Sequence, residues 1–321
     1  MYVHERPRAA GPILRFSKVK KSFGDKTVLH DISFDIYPGE LFGLIGQSGA
    51  GKTTLLRTLI GYYELDSGSI LYKGTNITNK MQFIRTIFGF ATQESCFYED
   101  LTLMQNLTYF GSMYGLSKLE IAKKSEQLLK LVELWEDRNL LARQLSGGMQ
   151  RRLDLAIGMI HDPEILILDE PTSGLDPILR KSMWNLIKKI NRLGVTIIMS
   201  SHLLDEMEHL CQDVAMIKNG TILVKGSPNQ LKSYYSKHQE VWIESYPGNY
   251  KKLIDEIKKR NIAVFYPRHE GTKLIFYTPN TYSVLRAIPL AASASNEGLS
   301  TLKIEKPTLN EVFEALTNYN K

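Results

Sequence analysis

A chain of 321 residues with 43% hydrophobic residues and a net charge of +6 is globular and too long for one ordinary core, so we expect a large and a smaller domain. The basic excess is spread along the chain, which favours a mixed solvated surface, and two cysteines exclude a disulfide framework and fit a reducing compartment. No apolar run approaches the ~18 residues that cross a bilayer, and the N-terminus lacks the apolar core of a secretory signal, so a membrane-spanning part would have to come from another chain.

The first predicted elements are antiparallel strands that precede a phosphate-binding loop. After a leader over residues 1–12, apolar and polar residues alternate in two runs, 13–19 and 28–37. Phe23 lies between these runs, where an aromatic ring could stack on a nucleobase or belong to the core. A third, apolar strand follows at 41–45.

The segment 46–53, with the sequence GQSGAGKT, matches the P-loop pattern and lies between that strand and a predicted helix at 54–60. Its glycines let backbone N–H groups face an anion at the positive end of the helix. Lys52 would reach the β- and γ-phosphates, and the Thr53 hydroxyl would ligate magnesium. The candidate nucleotide-binding residues here are Gly46, Gln47, Ser48, Gly49, Ala50, Gly51, Lys52, Thr53 and Thr54.

Two more strands are predicted before a helical insertion, at 70–72 and 87–92. The second ends at Gln93, whose amide could touch a metal ion or water, or lie at the surface. Apolar residues then recur at helical spacing over 101–141. We therefore predict a helical subdomain at about 97–143, with these side chains used for packing.

Polar groups follow at three positions where ligands commonly bind. Ser146 and two glycines open a helix that reaches residue 160, and this helix end is either a second anion site or an ordinary serine cap. The apolar strand 165–168 ends at Asp169 and Glu170, at the edge where open parallel sheets bind ligands. A turn at 173–177 enters a helix at 178–190, and a strand at 195–200, predicted to be the last of the core, ends before His202.

In this order, the motifs resemble those of the ATP-binding cassette family, the ATPase subunits of transporters, over residues 13–235. Phe23 matches the aromatic residue of the A-loop, residues 46–53 match the Walker A motif, and Gln93 matches the Q-loop. Residues 145–150 match the signature motif, and residues 165–170 match the Walker B motif. Residues 174–176 match the D-loop, and His202 matches the switch histidine. Met149 stands where many members have glutamine, as is common in the subgroup of drug, lipid and polysaccharide exporters.

The resemblance implies a P-loop NTPase of the α/β class, with an antiparallel β subdomain and the inserted helices, that hydrolyses ATP with Mg²⁺. Phe23 would stack on adenine, and Val28 would add an apolar contact. The magnesium residues would be Thr53, Asp169 and Gln93. The catalytic residues would be Glu170 as the general base, His202 at the γ-phosphate and Gln93 near the attacking water.

The resemblance also implies partners. Two copies, or this chain and a homologous ATPase subunit, would pair head to tail, with Asp176 at their interface. The signature of one copy would close on the nucleotide held by the other through Ser146, Gly147, Gly148 and Met149. A separate transmembrane permease would select the substrate, and this chain would be peripheral at the cytoplasmic face of the membrane, with no nucleic-acid partner.

Residues 236–321 are predicted to form a small α+β domain. Strands at 241–245, 263–266, 273–277 and 300–305 and helices at 250–260 and 282–294 give the order βαββαβ, which is ferredoxin-like. A final helix would be capped by Thr308, with Glu311 three residues on. The segment 307–313 resembles the tail of antibiotic-resistance-type export ATPases, and the domain could serve regulation, dimerisation or stability.

Two other functional classes fit the sequence less well. A soluble cassette ATPase that works on DNA would carry a long coiled-coil insertion, and one that works on ribosomes would carry two cassettes; neither feature occurs here. A nucleotide-gated switch without turnover is opposed by Glu170 and His202. The sequence therefore favours an export ATPase.

Overall fold

The computed structural model describes residues 11–78, 80–92, 95–235, 239–279, 281–305, 308–310 and 313. The chain divides into two compact units, Met1–Pro228 and Asn229–Lys321, whereas the domain boundary predicted from the sequence is at 235/236. Each unit has its own hydrophobic core.

The first unit alternates strands and helices. Its elements are β1 (Leu14–Phe23), β2 (Lys26–Ile36), β3 (Leu41–Ile45), α1 (Lys52–Leu59), β4 (Ser67–Tyr72), β5 (Thr75–Asn76), α2 (Met81–Ile87), β6 (Phe88–Ala91), α3 (Leu103–Met113), α4 (Lys118–Leu131), a 3-10 turn (Ala142–Gln144), α5 (Gly147–Met159), β7 (Ile165–Asp169), α6 (Pro177–Arg192), β8 (Thr196–Ser201), α7 (Leu204–Leu210), β9 (Asp213–Lys218) and β10 (Thr221–Gly226). The helix α8 (Pro228–Tyr235) begins at the division between the units.

An antiparallel sheet of order β2-β1-β4-β5 flanks the P-loop. The predicted hairpin is present, but β1 continues four residues beyond the predicted end at Val19, so Phe23 is the last residue of the strand and pairs with Lys26. Register shifts interrupt the pairing of β1 with β2, and Lys18 has a φ of 49°. Such bulges break the alternation of apolar and polar residues, which is why the sequence pattern ends early.

The second sheet of this unit carries the predicted motifs and has the order β10-β9-β3-β8-β7-β6. Strands β9, β3, β8, β7 and β6 run parallel, so Asp169, at the end of β7, and the P-loop, Glu170 and His202, just after strands, all lie at the carboxyl ends of neighbouring strands. The prediction that 195–200 is the last core strand is wrong, because β9 pairs with β3 and turns into β10 through Asn219 and Gly220. Both turn residues have positive φ, 46° and 71°, as a tight hairpin requires.

The predicted helical insertion is confirmed as α3, α4 and the following 3-10 turn. Both helices start at capping boxes, formed by Thr102 with Gln105 and by Ser117 with Glu120. Apolar residues of α3, such as Leu107, are buried, in agreement with their assignment to packing.

The second unit contains β11 (Gln239–Tyr246), α9 (Tyr250–Lys259), β12 (Phe265–Glu270), β13 (Lys273–Thr278), α10 (Thr281–Ala294) and β14 (Gly298–Glu305). These form an antiparallel sheet of order β12-β13-β11-β14, which is the ferredoxin-like order, and the predicted βαββαβ sequence of elements is confirmed. Alternate residues of the central strands, such as Val241 and Phe276, pack with residues of both helices, such as Leu253 and Ile288. Glu311 and most of the predicted final helix lie outside the described residues.

Candidate nucleotide site

The P-loop connects β3 to α1 in a conformation that only glycine accommodates at several points. Gly49 and Gly51 have φ values of 80° and 108°, in the region that side chains disfavour. A Cβ atom on Gly46 would lie 2.6 Å from the carbonyl oxygen of Ile217. No side chain of the described residues caps α1, whose N-cap is Gly51, so its first N–H groups remain available to an anion.

The P-loop is supported by the turn between β9 and β10. The N–H of Gly220 donates to the carbonyl oxygen of Ala50 at 3.0 Å, and the N–H of His30 donates to the carbonyl oxygen of Gly220 at 2.8 Å. A Cβ atom on Gly220 would overlap the carbonyl of Val28. The turn thus connects the P-loop to β2. This contact was not predicted from the sequence, although Asn-Gly is a strong hairpin signal.

Lys52 is 5% exposed and lies over the loop that it follows. Its Nζ donates to the carbonyl oxygens of Gly46 at 2.8 Å and Gln47 at 3.3 Å, and it lies 3.4 Å from Oε1 of Glu170. The ammonium group is therefore fixed between the P-loop and the end of β7.

Asp169 is buried beside the start of α1. Its Oδ1 accepts a hydrogen bond from the Thr53 hydroxyl at 3.4 Å and one from the Ser200 hydroxyl at 2.5 Å. Ser200 belongs to β8, so strands β7 and β8 and helix α1 together fix this carboxylate. The structure thus brings together the predicted pair Thr53 and Asp169.

Glu170 and His202, which were predicted as catalytic residues with separate roles, lie in direct contact. His202 Nδ1 lies 2.6 Å from Oε2 of Glu170, while the other oxygen of the carboxylate faces Lys52. Glu170 has a φ of 53°, and its N–H donates to the carbonyl and hydroxyl oxygens of Ser200, at 3.2 and 3.1 Å. Both oxygens of Glu170 therefore have partners, and this carboxylate points differently from that of Asp169.

Phe23 lies at the tip of the first hairpin with 43% of its surface exposed. The Tyr63 ring contacts it edge to face, with centroids 4.9 Å apart, and the Lys21 ammonium lies 5.3 Å from the Phe23 centroid. Val28 is half-buried, with its carbonyl oxygen beside Gly51. Tyr63 was not singled out in the sequence, since neither spacing nor motif marks it.

The signature residues and Asp176 form hydrogen bonds at the starts of helices α5 and α6, and none of these bonds involves the P-loop or the acids at the end of β7. Ser146 is the N-cap of α5, with its hydroxyl accepting from the N–H of Met149 at 3.4 Å. A Cβ atom on Gly147 would meet no described atom within 4 Å, whereas one on Gly148 would lie 3.3 Å from Leu179. Asp176 caps α6 by accepting from the N–H groups of Ile178 and Leu179, at 2.8 and 3.0 Å. Gln93 lies outside the described residues.

Comparison with known proteins identifies the family. The family model described as ABC transporter matches residues 29–173. The Nod factor export ATP-binding protein I of Rhizobium sp. (strain N33) is 36% identical over 301 residues, which cover 93% of this chain and 95% of that protein. This chain belongs to the ABC transporter family. As a member of its ATP-binding group, the chain binds and hydrolyses ATP.

Two further relatives agree with this assignment to the ABC family. The linearmycin resistance ATP-binding protein LnrL of Bacillus subtilis (strain 168) is 31% identical over 305 residues, covering 95% of this chain and 98% of that protein. The structure of cbiO1 from Clostridium perfringens, part of the ABC transporter complex cbiONQ, gives a TM-score of 0.65 at 27% identity, covering 70% of this chain and 92% of that chain. The predicted fold class, family and ATPase activity are confirmed.

Proposed function

We propose that this ABC ATPase is the motor of an exporter. Two copies, or this chain and a homologous ATPase subunit, enclose two ATP molecules head to tail, and hydrolysis drives a separate membrane-spanning permease. The names of the two relatives that match almost the whole chain, one for Nod factor export and one for linearmycin resistance, support export over a soluble switch. Among the described residues, no helix is both long and apolar enough to span a membrane. The relatives are ATP-binding subunits of export systems, and on that ground we place the chain at the cytoplasmic face, held there by the permease.

The nucleotide would lie along the carboxyl edge of the parallel sheet. Phe23 stacks on adenine, with Tyr63 supporting its ring from the edge and Val28 adding an apolar contact. The phosphates lie against the P-loop and the N-terminus of α1, including Thr54. Lys52, already directed across the loop, contacts the β- and γ-phosphates.

The residues at the start of α1 and the end of β7 fit a magnesium ion. The ion prefers oxygen ligands and keeps several waters, and Thr53 and Asp169 present a hydroxyl and a carboxylate oxygen 3.4 Å apart. These two residues and Gln93 would hold it. When bound, magnesium neutralises charge on the phosphates.

The arrangement of Glu170 and His202 is the observation that carries the proposal. Glu170 accepts a proton from the water that attacks the γ-phosphorus, the bond from the γ-phosphorus to the bridging oxygen breaks, and ADP and phosphate leave. Asp169 is engaged by Thr53 and Ser200, so the two neighbouring acids have different roles. His202, 2.6 Å from Glu170, contacts the γ-phosphate and orients the base.

The head-to-tail dimer explains why the chain carries a second group of anion-binding features. The start of α5, with Ser146, Gly147, Gly148 and Met149, offers N–H groups to the γ-phosphate held by the partner copy. Asp176 lies in the same interface. Beside it, the side chains of Ile178 and Leu179 are 81% and 40% exposed, and the partner copy would cover them. Loss of the γ-phosphate removes charge from this interface and lets the copies separate.

The decisive experiment is the variant Glu170→Gln. We expect turnover to fall by at least about 100-fold, the contribution typical of a general base, while ATP binding persists and light scattering shows an ATP-dependent dimer. Glu164→Gln is the control, because it makes the same substitution at the residue that precedes β7, where the carboxylate forms a surface ion pair with Lys73. This variant should turn over ATP at the wild-type rate. Wild-type turnover by Glu170→Gln would refute the base assignment, and a strictly monomeric variant with ATP and permease would refute the dimer.

A further inference from the structure

The connection from α1 to β4 passes beside the end of β1 and contains Tyr63. The N–H groups of Tyr62 and Tyr63 donate to the carbonyl oxygen of Arg57, in the last turn of α1, at 2.8 and 3.3 Å. Further along, the N–H of Asp66 donates to the carbonyl oxygen of Lys20, in β1, at 3.0 Å. The connection is therefore attached to α1 at one end and to β1 at the other.

The half-buried side chain of Tyr63 contacts both of these elements. Its hydroxyl accepts a hydrogen bond from Nη1 of Arg57 at 3.4 Å. Its ring is nearly perpendicular to that of Phe23, with the planes at 79° and the centroids 4.9 Å apart. The Arg57 guanidinium also lies 5.5 Å from the centroid of the exposed Tyr62 ring, which meets the Tyr63 ring edge to face at 5.0 Å. Tyr63 is therefore bonded to α1 while it contacts the ring at the end of β1.

These contacts constrain a ring that the strand alone would leave free to turn. Phe23 is the last residue of β1, and 43% of its surface is exposed. An exposed side chain that becomes ordered when a ligand binds weakens the binding by the rotamer freedom that it loses. An aromatic neighbour in the favoured edge-to-face arrangement removes part of this cost before the ligand arrives. Because α1 begins at the P-loop, the same contacts also fix the ring relative to the N–H groups that face the phosphates.

We propose that Tyr63 is a positioning residue that holds Phe23, relative to the P-loop helix, in the orientation in which a nucleobase stacks on it. Arg57 orients Tyr63, and Tyr63 orients Phe23. Tyr63 thereby raises the affinity for a triphosphate that carries a base and leaves the affinity for the phosphates alone unchanged. This role rests on the proposed stacking of adenine on Phe23, and the experiment below separates the two.

Calorimetric titration with ATP and with inorganic tripolyphosphate, in EDTA to prevent turnover, tests this role. In Tyr63→Ala, we expect ATP to bind about fivefold more weakly, as for one side chain that must be ordered on binding. Tripolyphosphate should bind as it does to the wild type, because it has no base. Tyr63→Phe keeps the ring, loses only the bond to Arg57, and should bind ATP within about twofold of the wild type. Tyr282→Ala removes an exposed tyrosine of α10 and is the control that should change neither affinity.

A double-mutant cycle with Phe23→Ala distinguishes a failure of this role from a failure of the stacking. If Tyr63 acts through Phe23, then Phe23→Ala weakens ATP binding, and the addition of Tyr63→Ala causes little further loss. Unchanged ATP binding by Phe23→Ala would overturn the stacking and the role of Tyr63 with it. Weaker binding by Phe23→Ala but not by Tyr63→Ala would overturn the role of Tyr63 alone. Additive losses, or equal weakening of ATP and tripolyphosphate in Tyr63→Ala, would also overturn it, because Tyr63 would then act independently of Phe23 or on the fold.

Discussion

Glu206 offers a quantitative test of how the catalytic pair is supported. It lies on α7, four residues after His202, and is fully buried. Its Oε1 accepts from the Thr172 hydroxyl at 2.7 Å and from the indole N–H of Trp184 at 2.8 Å. Because Thr172 lies two residues after Glu170, this one carboxylate connects the segments that carry the proposed base and the switch histidine.

The expected loss of stability follows from these two bonds. In Glu206→Ala, the buried hydroxyl of Thr172 and the half-buried indole N–H of Trp184 lose this acceptor, and hydrogen bonds to a charged group contribute about 1.5–3 kcal/mol each. Removal of the buried charge returns part of its desolvation cost, so we expect a net loss of about 2–4 kcal/mol. Glu206→Gln keeps an oxygen acceptor and should lose about 1 kcal/mol.

Urea unfolding followed by circular dichroism measures these losses. Asp205→Ala, at an exposed position of the same helix, is the control. Trp184→Phe removes one donor, and the double variant with Glu206→Ala should lose less stability than the sum of the two single variants. Additive losses, or a Glu206→Ala variant that is no less stable than the control, would show that Glu206 does not support this region in the way described.

Two further predictions concern the P-loop and a buried histidine. Gly46→Ala should abolish ATP binding in a fluorescence titration, because its Cβ would lie 2.6 Å from a backbone oxygen; Gly147→Ala, where no described atom lies within 4 Å, should still bind ATP. Burial lowers the pKa of His161, whose ring stacks on Tyr114 and bonds the carbonyl oxygen of Phe88. The bond to Phe88 and the charge of Asp162 oppose this shift, and Lys124 adds to it. Its pKa in the folded protein is below the unfolded value of about 6.5. The contribution of the neutral His161 to folding stability is therefore complete above that pH and is lost as the pH falls through the folded pKa, because protonation favours the unfolded chain. His161→Gln should flatten the fall in the urea midpoint between about pH 7.5 and pH 5.5. Equal slopes in both proteins, or ATP binding by Gly46→Ala, would contradict these expectations.

Local sequence patterns predicted most of the helices and strands. They also predicted the residues that meet at the carboxyl edge of the parallel sheet. The P-loop glycines, the acids after β7 and His202 after β8 each follow a strand in the sequence. Because parallel strands place their carboxyl ends at one edge of the sheet, these residues come together in space. The residues that were missed have a different character. Tyr63 and Glu206 act through contacts between segments distant in sequence, and such contacts leave no periodic pattern.

Strands were missed or shortened where local signals were weak. The bulges in β1 hid its second half, because they interrupt the alternation of apolar and polar residues. β9 contains only four consecutive apolar residues, Val214 to Ile217, and its identity depends on pairing with β3. The following Asn219 and Gly220 could have indicated the hairpin.

The Asn-Gly turn also has a consequence for the order in which the protein matures during synthesis. Every motif from the A-loop to the switch histidine has left the ribosome once His202 has emerged. The turn whose Gly220 bonds to Ala50 is still to come. A nascent chain at that stage contains every motif residue of the cassette but lacks the hydrogen bond from Gly220 that supports the P-loop. We therefore expect the ability to bind nucleotide to appear late and abruptly, when the Asn-Gly turn closes under a loop made some 170 residues earlier.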